Sequence, residues 1–202
     1  MDDLVLRGMA KWPNVPAVYG WLALNRRGEW LIKGDVVSNP TISAFIGRNY
    51  ERGSDGRWFF QNGPQRVFVT LAYTPQVYRA VNPADTPLEL ESHTGARPDA
   101  ISTAWLDEHG ALLLDAASGV GIVHDHDLDL VVPAFADDHG RRLTDAALDE
   151  LMVKLQQGQD APLWIGYGGA TIRVGTVQSR EVPRRFGFDP APKPPEDHPQ
   201  CT

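Results

Sequence analysis

Residues 18–34 read VYGWLALNRRGEWLIKG, two apolar runs separated by the four residues NRRG. Asn25 opens the turn and Gly28 stands where a left-handed backbone is needed, so the stretch reads as a β-hairpin. The same punctuation recurs along the chain. Residues 56–73, GRWFFQNGPQRVFVTLAY, turn at NGPQ, after which Val67, Val69, Leu71 and Tyr73 alternate with Phe68, Thr70 and Ala72. Residues 102–116, STAWLDEHGALLLDA, turn at DEHG, and residues 162–177, PLWIGYGGATIRVGTV, turn at their glycine-rich centre. Two of these hairpins are alike in detail. LALNRRGEWLI and AWLDEHGALLL each place Asn or Asp three residues before Gly, then one residue and an apolar run, and SDGRWFF shares part of that ending. The spacing fits an old duplication, and it is also what a four-residue hairpin loop demands of any sequence.

One segment carries the other period. In LTDAALDELMVKLQQG, residues 143–158, Ala147, Leu148, Leu151, Met152 and Leu155 form a helical stripe. Thr144 is a good N-cap, Asp145 suits the positive end of the helix, Leu143 and Leu148 form a staple, and Gly158 ends it. Glu150 and Lys154 are a favourable pair one turn apart. The expected fold is therefore α+β and β-rich: hairpin-built antiparallel sheets in two lobes, with one main amphipathic helix at 144–157. The proline-bearing stretch NPADTP, residues 82–87, is the expected joint between an aromatic-rich β lobe (1–82) and an α+β lobe (83–189). Residues 190–202, rich in proline and charge without apolar period, are expected to be a disordered tail.

A chain of 202 residues buries roughly 70% of its unfolded surface, so it needs neither disulfide nor metal to fold. Its one cysteine, Cys201, has no partner for an internal disulfide, which leans towards a reducing compartment. The acidic start MDDLVLRGMAKWPNVP lacks the basic end and apolar centre of a signal peptide, and no stretch has the length of a membrane span. A cytoplasmic protein without membrane partner is expected. The net charge of −7 is uneven: residues 1–82 carry ten Lys/Arg against six Asp/Glu, residues 83–160 four against sixteen. That balance disfavours a chain that hugs nucleic acid along its whole length, although Arg173, Arg180, Arg184 and Arg185 lie near Phe186 and Phe188 in a locally basic stretch.

The most enzyme-like line is GIVHDHDLDLVV, residues 121–132. If the strand runs through it, His124 and His126 share one face, and with Asp127 they are candidate ligands for a divalent metal, completed by His93 or His139. The alternative is structural. The strand ends near His124, an aspartate caps the turn after it, and Leu128, Val131, Val132 and Phe135 lie at helical spacing until Pro133 limits the helix. GYGGAT, residues 166–171, precedes a strand-like run instead of a helix, so it reads as a turn and not as a phosphate loop. No G-x-S-x-G elbow occurs, and no carboxylate pair stands out for glycoside chemistry.

Trp12, Trp21, Trp30 and Trp58 crowd the first 58 residues, together with Tyr19, Phe45, Tyr50, Phe59 and Phe60. Such rings make a core, or a ligand face when exposed; the candidate ligand residues are Trp21, Trp30, Trp58 and Arg66, with Arg48, Arg57 and Arg79 also interleaved.

Residues LRGMAKWPNVPAVYGWLALNRRGEWLIKG (6–34), FIGRNYE (45–51), GRWFFQNGPQRVFV (56–69) and LDEHGALLL…GVGIVHDHDL (106–128) resemble a family of uncharacterised bacterial proteins, mainly proteobacterial, known as a domain of unknown function. The resemblance covers most of residues 4–135. It implies a bacterial, soluble protein and carries over no catalytic residue. The combined expectation is a binding or interaction protein without resident cofactor, whose partner is a small ligand or a protein, a second copy as homodimer included. A metal-dependent hydrolase using His124 and His126 is the alternative.

Overall fold

The computed structural model describes residues 1–11, 15–81 and 86–195, the side chains of Leu4 and Met9 apart. The chain forms two compact units, one of Met1–Pro75 with Gly187–Thr202, the other of Gln76–Phe186.

The first unit holds α1 (Asp3–Lys11), β1 (Val18–Leu24), β2 (Trp30–Ile32), β3 (Asp35–Val36), α2 (Pro40–Arg48), β4 (Tyr50–Arg52), β5 (Trp58–Asn62) and β6 (Gln65–Leu71). Its six strands lie in the order β3-β2-β1-β6-β5-β4. The NRRG hairpin joins β1 to β2, and β5 meets β6 across Gly63 and Pro64. At the centre β1 and β6 run parallel, with Val18 opposite Val67 but Leu22 opposite Val69, so β1 bulges over Tyr19–Trp21. Helix α2 starts where Asn39 accepts hydrogen bonds from the N–H groups of Thr41 and Ile42 and Pro40 sits in the first turn. Its Phe45 meets Phe60 of β5 edge-on at 5.5 Å.

The second unit holds β7 (Gln76–Ala80), β8 (Leu90–Ser92), β9 (Ile101–Asp107), β10 (Leu112–Ala116), β11 (Gly119–Val123), α3 (Leu128–Val131), β12 (Phe135–Ala136), α4 (Asp145–Gln156), β13 (Trp164–Tyr167), β14 (Ala170–Val177) and α5 (Val182–Phe186). The strand order is β12-β13-β14-β9-β10-β11-β7-β8. Here β9 and β14 run parallel, as do β7 and β11. Helix α4 is capped as its residues require: Thr144 Oγ1 accepts from the Ala147 N–H, Lys154 reaches Glu150, and Gly158 takes φ +76° beyond the end. Leu148 and Leu155 are buried against the core formed by Leu106, Leu112, Leu114 and Val174.

The two sheets share a pattern of strand order. In each, three strands and then three more place the first and last in parallel contact: β3-β2-β1-β6-β5-β4 matches β11-β10-β9-β14-β13-β12, with β7-β8 added to the second sheet. The hairpins LALNRRGEWLI and AWLDEHGALLL occupy equivalent places, β1–β2 and β9–β10.

The fold is α+β and β-rich, with 25% helix against 37% strand. Four features differ from expectation. Both sheets are mixed, because three pairings between distant strands are parallel. Helices α1 and α2 add to α4; each spans only nine residues, too short for the apolar period to stand out. The second unit begins at Gln76 rather than residue 83, because β7 pairs with β11. The segment from Gly187 packs on the first unit: Asp189 N–H donates to Gly56 C=O, Pro190 C=O accepts from Leu71 N–H, and Phe188 and Pro192 are buried. The rest of the expected tail, 196–202, lies outside the described residues.

Candidate functional site

The His-Asp line is built by a strand that stops. β11 ends at Val123, the His124 N–H donates to Tyr78 C=O at 2.9 Å, and a 3₁₀ turn spans Asp125–Asp127. His124 is itself the cap: its Nδ1 accepts from the His126 N–H at 3.2 Å, and Asp125 Oδ1 accepts from the same N–H at 3.0 Å. A histidine thus fills the role expected of an aspartate. His124 is only 5% exposed, and burial, aided by the Arg79 charge, holds its imidazole below the usual histidine range. A neutral ring is what an accepting Nδ1 requires.

Asp127 is committed elsewhere. Its Oδ2 accepts from Arg79 Nε at 2.5 Å and from Ala80 N–H at 3.2 Å, and its Oδ1 accepts from Arg79 Nη2 at 3.2 Å. This half-buried fork ties the turn to β7. Among the described residues the group able to close on a metal is His124, Asp125 and His126, whose ligand atoms lie within 4.8 Å of one another. Neither His93, whose Nδ1 accepts from Val77 N–H, nor His139 joins it.

The aromatic set divides sharply. Trp30 and Trp58 are buried at 2% and 5% exposure, and both pack against Tyr50, with ring centroids 5.0 and 4.8 Å away. They are core. Arg66 lies over the Phe59 ring at 4.0 Å, while Arg48, Arg57 and Arg79 each pair with an aspartate. Trp12 lies outside the described residues. Trp21 differs from all of these. It is 45% exposed and stands on the β1 bulge, beside a groove of about 1010 Å³.

Val18, Leu22, Phe60, Val67 and Ile46 from α2 line this groove, as do Trp21, Tyr19 and Ile32, and Pro192–Pro194. Its polar side chains are few: Tyr19 with its hydroxyl, Asn62, Gln65 and Lys193, with no carboxylate among the described lining residues. Lys33 Nζ sits 3.9 Å from the centre of the Trp21 ring. Sequence reasoning missed Ile32, Lys33 and Lys193. The signal available was the dipeptide Lys33-Gly34, a two-residue turn in which Lys33 takes φ +52°.

The remaining motifs have structural uses. GYGGAT is a hairpin turn, Tyr167 opposite Ala170, with Gly168 and Gly169 both at positive φ. Of the C-terminal arginines, Arg173 pairs with Asp160 and Arg185 lies over Trp105 at 3.6 Å. No described helix is long and apolar enough to cross a membrane.

No curated protein matches the chain. A DUF1285 family protein from Silicibacter pomeroyi DSS-3, solved at 2.50 Å, is similar over 81% of this chain and 85% of its own, with 15% identity and a TM-score of 0.53. A DUF1285 family protein from Shewanella baltica OS155, solved at 1.40 Å, is 13% identical over 52% of this chain and 85% of its own, with a TM-score of 0.36. The first likeness is one of fold. The family model DUF2944, described as "Protein of unknown function (DUF2946)", matches residues 1–193, and the chain belongs to that family.

Proposed function

We propose that this is a ligand-binding protein whose first unit takes a small, largely apolar molecule in the groove beside Trp21. The supporting observation is the exposed pair Trp21 and Ile32, at 45% and 43%, on the rim of an apolar cavity. A groove of about 1010 Å³ is at the upper end of the roughly 300–1,000 Å³ typical of small-molecule sites, and few polar groups in an apolar lining is their usual chemistry. Two core tryptophans and one exposed one is the distribution expected when only the last serves recognition. Titration with a neutral solvatochromic dye tests this. Saturable one-to-one binding, weakened about tenfold or more by Trp21→Ala, is expected. Failure to bind, or binding indifferent to Trp21, overturns it. A cytoplasmic setting, supported by the lone Cys201, belongs to the same reading.

A second reading concerns the other unit. His124, Asp125 and His126 come within 4.8 Å of one another, close enough to converge on one divalent metal if His124 Nδ1 releases the His126 N–H. Calorimetric titration with zinc and manganese, against His126→Ala, tests it. Heat that saturates at one equivalent and vanishes in the variant supports the site, and no heat at tens of micromolar removes it.

A further inference from the structure

We infer that the ligand of the groove, if the groove reading above holds, carries one anionic group at the end of an apolar body: a long-chain carboxylate. The lining is mostly apolar, with Val18, Leu22, Ile46, Phe60 and Val67. The charge on the described lining residues has one sign. Lys193 lines the groove, and Lys33 stands over the Trp21 ring at 3.9 Å. Among the described residues no Asp or Glu lines the cavity; the nearest in sequence to Lys33, Asp35, faces Ile32 across the β2–β3 ladder and makes no ion pair with Lys33.

The backbone at Lys33 strengthens the point. The first residue of a two-residue hairpin turn of this kind is usually Asn, Asp or Gly, because the left-handed region is strained for other side chains. Here a lysine holds φ +52° ahead of Gly34 at φ +94°. Its N–H donates to Trp21 C=O at 2.9 Å, fixing the turn against the bulge in β1. The turn itself gains nothing from an ammonium. What the residue contributes is a positive charge set on the indole face of Trp21, which lines the groove. An exposed cation there, next in sequence to the groove-lining Ile32, attracts an anionic head by its charge. A ligand with a carboxylate head and a hydrocarbon body satisfies both parts of the site. A neutral ligand leaves the two lysines without a role, and a purely polar anion leaves the apolar floor wet.

The full chain is titrated with dodecanoate, with dodecanol as the uncharged counterpart, and with dodecylammonium as the opposite charge, all below their aggregation limits, following tryptophan fluorescence and heat. Lys33→Asn, which suits the left-handed turn, and Lys193→Gln are combined in one variant, and circular dichroism checks its fold. Dodecanoate binding at one equivalent, at least tenfold tighter than dodecanol, is expected. The double variant should lose that preference, binding dodecanoate no tighter than dodecanol, and added salt should weaken only the carboxylate. Equal binding of the three probes, or a preference that survives the double variant, overturns the carboxylate assignment and leaves the groove standing. Binding of none of them, or binding unaffected by Trp21→Ala, overturns the groove reading itself and the assignment with it.

Discussion

At the scale of single residues, the sharpest chemistry belongs to groups that the fold has taken out of water. His93 keeps some surface as a residue, but its Nε2 is sealed from solvent, and burial pushes its imidazole down to about 3 from an ordinary value of 6.5. The folded state therefore holds His93 neutral while the unfolded chain takes a proton near pH 6.5. Its contribution to stability is complete above pH 6.5 and is lost as pH falls from there towards about 3. Unfolding free energy measured from pH 7.5 to 4.5 should decline in that window, and His93→Gln should flatten the decline. His124, lowered in the same direction, adds to that slope. Asp127 is the second such residue. Asp127→Ala removes the acceptor of two Arg79 bonds and of the buried Ala80 N–H, a loss of about 2–3 kcal/mol in denaturant melts. Arg79 is half exposed and recovers water, so the cost falls chiefly on the backbone N–H. This pairing was not legible in GIVHDHDLDLVV, where Asp127 looked available to a metal. Its partner stands 48 residues away on β7.

At the scale of elements, one loop recurs and explains why the hairpins were readable. Asn25, Asp107 and Asp137 each use Oδ1 to accept from the N–H groups two and four residues on, at 2.8–2.9 Å. The glycine three residues on takes φ +79°, +81° and +74°, in Gly28, Gly110 and Gly140. A fourth copy, Gly53–Arg57, keeps Gly56 at φ +82° and lets Asp55 accept from Arg57 N–H. All the bonds are local, so sequence spacing alone specifies them. The copy at Asp137 escaped notice because its flanks are a two-residue strand and a single bridge, too short to show alternation. Helix α4 was legible for the same reason, since cap, stripe and stop lie within 16 residues. Burial should grade the loops. Asp107 is fully buried and Asn25 partly exposed, so Asp107→Ala should cost about 2 kcal/mol and Asn25→Ala about half that or less, measured by urea unfolding. Asp107→Asn, which keeps an acceptor oxygen, should lose much less. Equal losses for the two alanine variants would show that the loop's backbone, and not its side-chain acceptor, sets its stability.

At the scale of the whole molecule, what the residues could not announce is long-range pairing. β1 meets β6, and β9 meets β14, only after four intervening strands, and nothing in VYGWLAL or TIRVGTV marks a parallel neighbour. The groove shares this origin: its walls come from β1, β2, α2, β5, β6 and a segment more than 120 residues further on, Pro192–Pro194. Composition alone made that segment look like a tail. In the structure it completes the first unit, so the unit is assembled from both ends of the chain while Gln76–Phe186 is continuous and has its own core. A truncation after Phe186 tests this architecture. It removes Phe188 from its buried place, a loss of roughly 2 kcal/mol. It also strips the Leu71 N–H and the Gly56 C=O of their partners Pro190 and Asp189, and opens one wall of the groove. With fluorotryptophan incorporated, ¹⁹F NMR on heating reads the units separately, because Trp30 and Trp58 report the first and Trp105 and Trp164 the second. The truncated chain should lose the folded signals of Trp30 and Trp58 at markedly lower temperature, with those of Trp105 and Trp164 little changed. Dye binding beside Trp21 should fail with them. If Trp30 and Trp58 keep the melting temperature they have in the full chain, the segment from Gly187 is an appendage and not part of the first unit's structure.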